Sequence, residues 1–188
     1  MTSRMSLAAL FVAIAVAAPV AAQEACKMTQ VAKPLSLGDM YKMASEKATA
    51  WKPDAKLASM GTTTLGLLKP DGTSASWHLI FVSESANMIV SIDTANGYFT
   101  CYANPGRGGR VPDLKPDFFR DGAALYAIAK QQGDALIAQG HGVMIGTAAA
   151  PGNRHATWNI NYPKEGAKDG GLTVIVDANT GKLEKAIR

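Results

Sequence analysis

A stretch of alternating apolar and polar residues occurs twice in the chain, each time around a tryptophan. Residues 75–79 read Ala-Ser-Trp-His-Leu, and residues 156–160 read Ala-Thr-Trp-Asn-Ile. The period of two predicts, in both places, a strand with one face directed into the core. A second shared block follows each copy, at residues 90–97 and 174–181, and ends in an Asp/Asn/Gly turn. The pattern therefore predicts two tandem copies of one small α+β unit.

The first unit, residues 36–104, begins with a predicted helix. Ser36 is placed to act as its N-cap, and Pro53 ends the helix after Lys52. Apolar residues recur at helical spacing, and we expect this stripe to face the core rather than to line a cofactor groove. The stripe consists of Leu37, Met40, Tyr41, Ala44, Ala48 and Trp51.

An antiparallel meander is expected after this helix. Residues 55–65 are predicted as a strand with Gly61 as a bulge, and Pro70-Asp71-Gly72 as a turn. Asn96-Gly97 is typical of a tight hairpin. The intervening strand, residues 74–83, is expected to direct Ala75, Trp77, Leu79 and Phe81 inward.

The second unit, residues 117–188, repeats this order. Its helix is predicted over residues 118–138, with Asp117 as the N-cap and Gly133 as a weak point in the interior. Gly140 stands where a helix C-terminal glycine is expected. The inward face of its tryptophan strand is predicted to carry Ala156, Trp158, Ile160 and Tyr162.

Residues 105–116 form a Gly-rich, Pro-rich and basic stretch between the units. It lacks the Gly-Lys-Ser/Thr sequence and following helix of a phosphate-binding loop, so we interpret it as a linker. An alternative role for Arg107 and Arg110 is docking of an anionic partner.

The N-terminus predicts export. Arg4 precedes an apolar run over residues 7–18, and the small residues at 20–22 suit signal peptidase, so residues 1–22 are predicted to be a cleaved signal peptide. Residues 23–35 then form an N-terminal arm. A lipoprotein based on Cys26 is disfavoured because the preceding residues lack the apolar position of a lipobox. We expect a periplasmic or secreted protein.

Charge gives little indication of a polymeric partner. The chain has 19 Lys and Arg residues and 15 Asp and Glu residues, and these are scattered rather than clustered. A basic stripe of the kind that follows a phosphate backbone is missing, so we expect no nucleic-acid partner. Nothing after the predicted signal resembles a membrane span, so no membrane insertion is expected after cleavage.

Cys26 and Cys101 are the two cysteines of the chain. In an oxidising compartment we expect them to form a disulfide that ties the N-terminal arm to the end of the first unit. The alternative is two unpaired cysteines, since sequence separation does not fix a distance.

Motifs for catalysis or metal binding are not found. The three histidines, His78, His141 and His155, form no His-x-x-x-His or His-Glu-x-x-His arrangement, and no Gly-x-Ser-x-Gly element occurs. We therefore predict no catalytic residues, no cofactor and no metal ligands. An unrecognised hydrolase with a spatial triad is the least favoured function.

The two units differ on the face opposite each tryptophan. In the second unit this face carries Thr157, Asn159 and Asn161, which are polar. An apolar outer face on one unit predicts contact with the other unit, a second chain or a target. In the first unit the corresponding residues, and the predicted partner surface, are His78, Ile80, Val82 and Ile89.

The closing segment, residues 171–183, reads Gly-Leu-Thr-Val-Ile-Val-Asp-Ala-Asn-Thr-Gly-Lys-Leu and resembles the end of a PepSY domain. The resemblance covers residues 118–187. It extends only in degenerate form to residues 36–103, where Asp-Thr-Ala-Asn-Gly-Tyr at 93–98 lacks the Thr-Gly-Lys order. It implies a PepSY/cystatin-like fold, in which each unit is one helix packed on an antiparallel meander. The tandem arrangement also looks broadly like secreted β-lactamase inhibitor proteins.

Members of the PepSY family are extracytoplasmic binding modules, some of them in propeptides of secreted metallopeptidases. The resemblance therefore implies a non-catalytic module that engages a protein or peptide and restrains a peptidase. The alternative function is a small-ligand or cell-envelope sensor that uses the cleft between the units. The sequence leaves the partner and the oligomeric state open.

Overall fold

The computed structural model describes residues 23–106, 111–149, 155–166 and 171–188, so the predicted signal peptide lies outside the described residues. The fold is α+β, with two helices and a nine-stranded antiparallel sheet in the described part of the chain. The elements of the N-terminal half are β1 (Gln23–Gln30), β2 (Leu35–Ser36), α1 (Leu37–Trp51), β3 (Lys56–Thr62), β4 (Thr73–Ser74), β5 (Trp77–Ser83), β6 (Met88–Ala95) and β7 (Tyr98–Pro105). Those of the C-terminal half are α2 (Gly122–Ala138), β8 (Met144–Ala149), β9 (Ala156–Asn161), β10 (Thr173–Asp177) and β11 (Leu183–Ile187).

The sheet consists of two meanders placed edge to edge. Its strand order is β1-β7-β6-β5-β3-β8-β9-β10-β11, and every neighbouring pair is antiparallel. The meander β3-β5-β6-β7 follows α1, and the meander β8-β9-β10-β11 follows α2. The short strands β2 and β4 pair separately. The predicted N-terminal arm contributes β1, which extends the sheet beyond β7.

Helix α1 agrees with the prediction. The Ser36 side chain accepts a hydrogen bond of 3.1 Å from the Asp39 N–H, which caps the first turn. Leu37, Met40, Ala44 and Ala48 are buried in the core, while the aromatic residues of the same stripe are partly buried against it.

Helix α2 begins at Gly122 rather than at residue 118, and its N-cap is Asp121 rather than Asp117. The Asp121 side chain accepts a hydrogen bond of 2.9 Å from the Ala124 N–H. The backbone before this point is bonded elsewhere, because the Phe119 N–H donates to the Ala178 carbonyl and the Phe119 carbonyl accepts from the Trp158 indole. The predicted C-terminal glycine is confirmed.

Gly140 ends α2 with a φ of 87°. Its N–H donates to the Ile137 carbonyl, and the N–H of His141 donates to the Leu136 carbonyl. These two hydrogen bonds satisfy carbonyl groups in the last turn of the helix.

The weak point at Gly133 has a packing role. Its backbone leaves the helical region, with φ −125° and ψ 25°, and the Tyr162 ring lies where a side chain at this position would be. The Tyr162 hydroxyl donates a hydrogen bond of 2.7 Å to the Ala129 carbonyl, one turn earlier in α2. Burial raises the pKa of Tyr162 to about 12. A glycine at this position therefore allows β9 and α2 to pack closely.

The two tryptophans are buried, as predicted, and each joins its strand to the segment that enters the helix of its own half. Trp77 and Trp158 are both 0% exposed. The Trp77 indole N–H donates 3.1 Å to the Leu35 carbonyl, and the Trp158 indole N–H donates 2.9 Å to the Phe119 carbonyl. One contiguous cluster of buried side chains includes both indoles and the inner faces of both helices.

The inward face of β9 is buried throughout, as predicted, but that of β5 is shorter than expected. Ala75 is exposed, because the strand begins only at Trp77. Leu79 and Phe81 are buried with the indole.

Strands β3 and β8 meet at a pair of glycines, Gly61 and Gly146. The prediction of a bulge at Gly61 is wrong, because the irregularity in β3 lies between Leu57 and Ser59. A Cβ atom at Gly61 would lie 2.6 Å from the Ile145 carbonyl oxygen, so the glycine is required by the close approach of the other half.

Two threonine hydroxyls complete the joint between β3 and β8 in a reciprocal manner. The Met60 N–H donates 2.8 Å to Thr147 Oγ1, and the Ile145 N–H donates 3.1 Å to Thr62 Oγ1. Each half thus supplies a side-chain acceptor for a backbone donor of the other, which avoids leaving buried N–H groups unpaired.

The two shared sequence blocks do not occupy equivalent positions relative to the tryptophans. Asp93 lies opposite the residue after Trp77, whereas Asp177 lies opposite the residue before Trp158. Relative to the tryptophan of its own half, the aspartate of the first block is therefore displaced by two register positions from that of the second. Asp93 correspondingly lies two residues before the end of β6, whereas Asp177 is the last residue of β10.

The predicted turns at the ends of the two shared blocks are confirmed. Asn96 and Gly97 have φ values of 52° and 79°, as a tight hairpin requires. In the second turn, Asp177 Oδ1 accepts hydrogen bonds from the N–H groups of Asn179 and Thr180, and Gly181 has a φ of 70°.

Cys26 and Cys101 form a disulfide, with a Cα–Cα distance of 5.4 Å. The bond links β1 to β7, where the two cysteines are also register partners. A structural disulfide indicates an extracytoplasmic location. No helix in the described ranges is both long and apolar enough to cross a membrane.

We predict that replacing both cysteines, as Cys26→Ser with Cys101→Ser, lowers the free energy of unfolding by about 2–4 kcal/mol, because the unfolded chain is no longer cross-linked. Urea denaturation monitored by tryptophan fluorescence measures this change. Reduced wild-type protein is the control and should match the double variant. Equal stability of oxidised wild type and double variant would contradict the prediction.

We also predict an asymmetry between the two glycines of the joint. Gly61→Ala should destabilise the fold by about 1–3 kcal/mol, because its Cβ meets the backbone of β8. Gly146→Ala is the matched control and should change stability by less than about 0.5 kcal/mol, since its Cβ comes no closer than 3.9 Å to the Met60 carbonyl oxygen. Equal losses in denaturation experiments would show that the joint is not packed as described.

Candidate functional site

The face of the sheet opposite the helices, here called the outer face, carries alternate residues of every central strand. In β7, Tyr98 and Tyr102 alternate with the buried Phe99 and Cys101, and they are 46% and 44% exposed. Asp93 and Ser91 lie on the same face in β6. The outer face therefore presents aromatic and polar side chains next to each other.

The predicted partner surface lies on this face but is less exposed than the sequence suggests. Ile80 and Ile89 are half-buried, and Val82 is only 4% exposed. Val82 is paired between Lys56 of β3 and Ile89 of β6, so neighbours on both sides limit its contact with solvent. It cannot contribute as an exposed contact. Arg107 and Arg110 lie outside the described residues.

A groove of 280 Å³ crosses the outer face at the joint of the two meanders. Gly61 and Gly146 contribute no side chains there, so the sheet forms a low floor between rows of larger residues. Most of the groups around this floor are polar and come from both halves. The polar residues are Ser59, His78, Asn159 and Asn161, and Met144 is the apolar residue beside them.

Strand β9 places two amide side chains in this groove, and one of them is fixed by a hydrogen bond. Thr173 Oγ1 donates a hydrogen bond of 2.9 Å to Asn161 Oδ1, which orients the amide. Asn159 lies opposite Gly146 in the register, next to the floor. Ordered amides offer both donors and acceptors, which suits a peptide backbone or another amide-containing ligand.

His78 and Asp93 form an ion pair beside the groove. The distance from His78 Nδ1 to Asp93 Oδ1 is 2.5 Å, and their side chains are 42% and 32% exposed. The hydrogen bond to Asp93 raises the pKa of His78, burial of the ring opposes this effect, and the negative charge of Asp93 adds to it. The imidazole is thus held in one orientation.

An imidazole oriented by a carboxylate is also the base of many hydrolases. In the described part of the chain, however, His78 has Asp93 as its hydrogen-bond partner, and no bond joins it to the hydroxyl of Ser59 in the same groove. The nucleophile–base contact of acyl transfer is therefore not formed here.

A second group of chemically active side chains lies at another end of the outer face. The ligand-type atoms of His155, Asp177 and Glu184 all lie within 4.8 Å of one another. The sequence gives no sign of this cluster, because its members are on different strands and match no metal-binding spacing. Knowledge of the strand register would have been needed to find it.

The helix side of the molecule has a depression of 790 Å³ along the exposed side of α1, which is larger than the groove on the outer face. It is open and is lined by one helix together with Arg120. The Arg120 guanidinium lies 4.8 Å from the ring centroids of both Tyr41 and Phe118, so its role is to hold the segment before α2 against α1. Apart from Arg120, its polar side chains all come from α1, and they include Lys42, Ser45, Glu46 and Thr49.

Comparison of the chain with protein-family models, curated proteins and solved structures finds no match. The resemblance to PepSY domains therefore stays a prediction based on the motif residues.

We predict that the His78–Asp93 pair makes stability depend on pH. Because the pKa of folded His78 is raised above its ordinary value of 6.5, the pair stabilises the fold fully below that pH and less as pH rises through the raised value. Thermal unfolding from pH 5 to pH 9 should show this loss in wild type and not in His78→Gln.

The effect should be small, since the His78 side chain is partly exposed. Asp93→Asn is the matched variant and should abolish the same pH-dependent component. A wild-type pH profile parallel to those of both variants would refute this role of the pair.

Proposed function

We propose that this protein is a periplasmic or secreted, non-catalytic binding protein that engages a protein or peptide through the outer face of its sheet. The observation that carries the proposal is the groove at the joint, where Asn159 lies across a floor of two glycines from His78 and the Asn161 amide beside it is oriented by Thr173. The exposed rings of Tyr98 and Tyr102 extend this surface across the N-terminal half.

The shape of the surface favours a macromolecular partner. The groove is open, and its 280 Å³ lies at the lower limit of the roughly 300–1,000 Å³ of ligand pockets. Tyrosines are enriched in protein interfaces because they combine apolar area with a polar hydroxyl. A peptide segment lying across several strands can contact both the groove and the tyrosines.

The architecture supports our further proposal that the chain is a tandem duplication of one PepSY-like unit. Each half has a helix followed by a four-stranded meander, and each indole bonds the segment before its own helix. The joint is also reciprocal, with Thr62 and Thr147 in corresponding roles. Restraint of a peptidase rests on the PepSY resemblance alone and is the most specific form of the proposal.

A second candidate is a small-ligand or cell-envelope sensor, and one observation favours it. The groove lies between the two halves, so a polar ligand bound to His78 and Asn159 would contact both. Such a ligand would stabilise the joint and raise the melting temperature of the protein, which a thermal-shift screen measures.

The proposed interface is tested by site-specific photo-crosslinking in intact cells. A benzoylphenylalanine residue in place of Tyr102 should form an adduct with an envelope protein or peptide. The same residue in place of Gln131, exposed on α2, is the matched control and should not. Adducts from both positions or from neither would contradict binding through the outer face.

Purified wild-type protein should also retain the captured partner, and Tyr102→Ala should weaken binding by about tenfold or more, as expected for an aromatic anchor. The fold should be unchanged because Tyr102 is exposed. Peptidase activity measured with and without the protein then tests inhibition. An unaffected peptidase partner would exclude restraint but leave the binding role intact.

A further inference from the structure

Three potential metal ligands converge where β9, β10 and β11 lie side by side. His155 immediately precedes β9, Asp177 ends β10, and Glu184 lies in β11. The distance from His155 Nε2 to Glu184 Oε1 is 2.5 Å, and a ligand atom of Asp177 lies within 4.8 Å of both. His155 and Asp177 are half-buried, while Glu184 is exposed.

A β-bulge positions Glu184. Ile175 is paired with Lys185 and Val176 with Leu183, so Glu184 is the extra residue in β11. A bulge changes the direction of the side chain at the inserted position. Here Glu184 lies beside His155, across the strand that carries Asp177.

Asp177 is already oriented for such a role. Its Oδ1 accepts hydrogen bonds of 2.9 Å from the Asn179 N–H, 2.7 Å from the Thr180 N–H and 2.9 Å from the Thr180 hydroxyl. These bonds engage one carboxylate oxygen and leave Oδ2 as the natural ligand atom. Partners of this kind fix metal-binding carboxylates in known sites.

The turn after β10 accounts for Asp177 but not for His155 and Glu184 beside it. His155 lies three residues before Trp158, and the corresponding residue before Trp77 is Ser74. Asp177 follows the strand partner of Trp158, and the residue that follows the strand partner of Trp77 is Ala95. The N-terminal half forms its hairpin without any equivalent ligand set. The cluster is therefore a property of the C-terminal half alone.

We propose that His155, Asp177 and Glu184 bind one divalent transition-metal ion of the zinc type. Two carboxylates balance the charge of the ion, and the imidazole favours zinc, cobalt or nickel over magnesium and calcium. Three protein ligands leave a position for water or for a group from a partner. The bound ion links β11, whose residues are all exposed, to β10 and β9.

An ordinary ion pair between His155 and Glu184 is the competing explanation of this geometry. The chain contains a matched comparison, because His78 and Asp93 form a pair with the same distance of 2.5 Å. That pair is not part of a three-ligand group in the described residues. Variants of the two pairs therefore separate metal binding from simple pairing.

The experiment is isothermal titration of the full mature protein, free of affinity tags and treated with chelator, with zinc chloride and with cobalt chloride. Wild type should bind one equivalent of zinc, and bound cobalt should give visible absorption bands. His155→Gln and Glu184→Gln should each weaken binding by more than about tenfold. His78→Gln should bind as wild type does.

Zinc should also slow amide hydrogen exchange in β11 of wild type but not of Glu184→Gln, whose substitution is at an exposed position. Absence of saturable binding, equal affinity in wild type and the two ligand variants, or equal affinity for magnesium would each overturn the proposal. The outcome is independent of the proposed partner surface, because Tyr102 and the groove residues are unchanged in these variants.

Discussion

The reciprocal contact between β3 and β8 determines the architecture of this protein. Gly61 and Gly146 let two backbones approach, and Thr62 and Thr147 supply the acceptors that the neighbouring main-chain donors need. Because the joint is edge to edge, the helices of both halves cover the same face and share one core. Phe118 extends that core across the boundary, with its ring centroid 4.9 Å from that of Tyr41 and 6.4 Å from that of Trp158.

Covering only one face leaves the other available for the recognition that we propose. Side chains that alternate with the core residues of β5, β7 and β9 are presented to solvent in fixed positions, since each belongs to a paired strand. A rigid sheet loses little conformational freedom when it binds, which favours affinity from a modest number of contacts. The groove and the metal-ligand cluster both lie on this face, at different places along β9.

Local features of the fold could be predicted from sequence because each depends on a few adjacent residues. The cap at Ser36, the hairpin at Asn96 and the glycine at the end of α2 are examples, as is the burial of both tryptophans. Features that depend on pairing between distant strands could not be predicted. The joint at Gly61, the shielding of Val82 and the convergence on Asp177 require the register and strand order, which periodicity does not give.

The joint also has a consequence for biogenesis. Met60 and Thr147 are 87 positions apart in the chain, so the first meander is synthesised well before its neighbour is available. Until then the side of β3 that later pairs with β8 is an unpaired edge, which is open to association with other chains. Early closure of the Cys26–Cys101 bond protects only the opposite edge. The time that the second meander needs to reach β3 therefore sets how long the edge of β3 stays open.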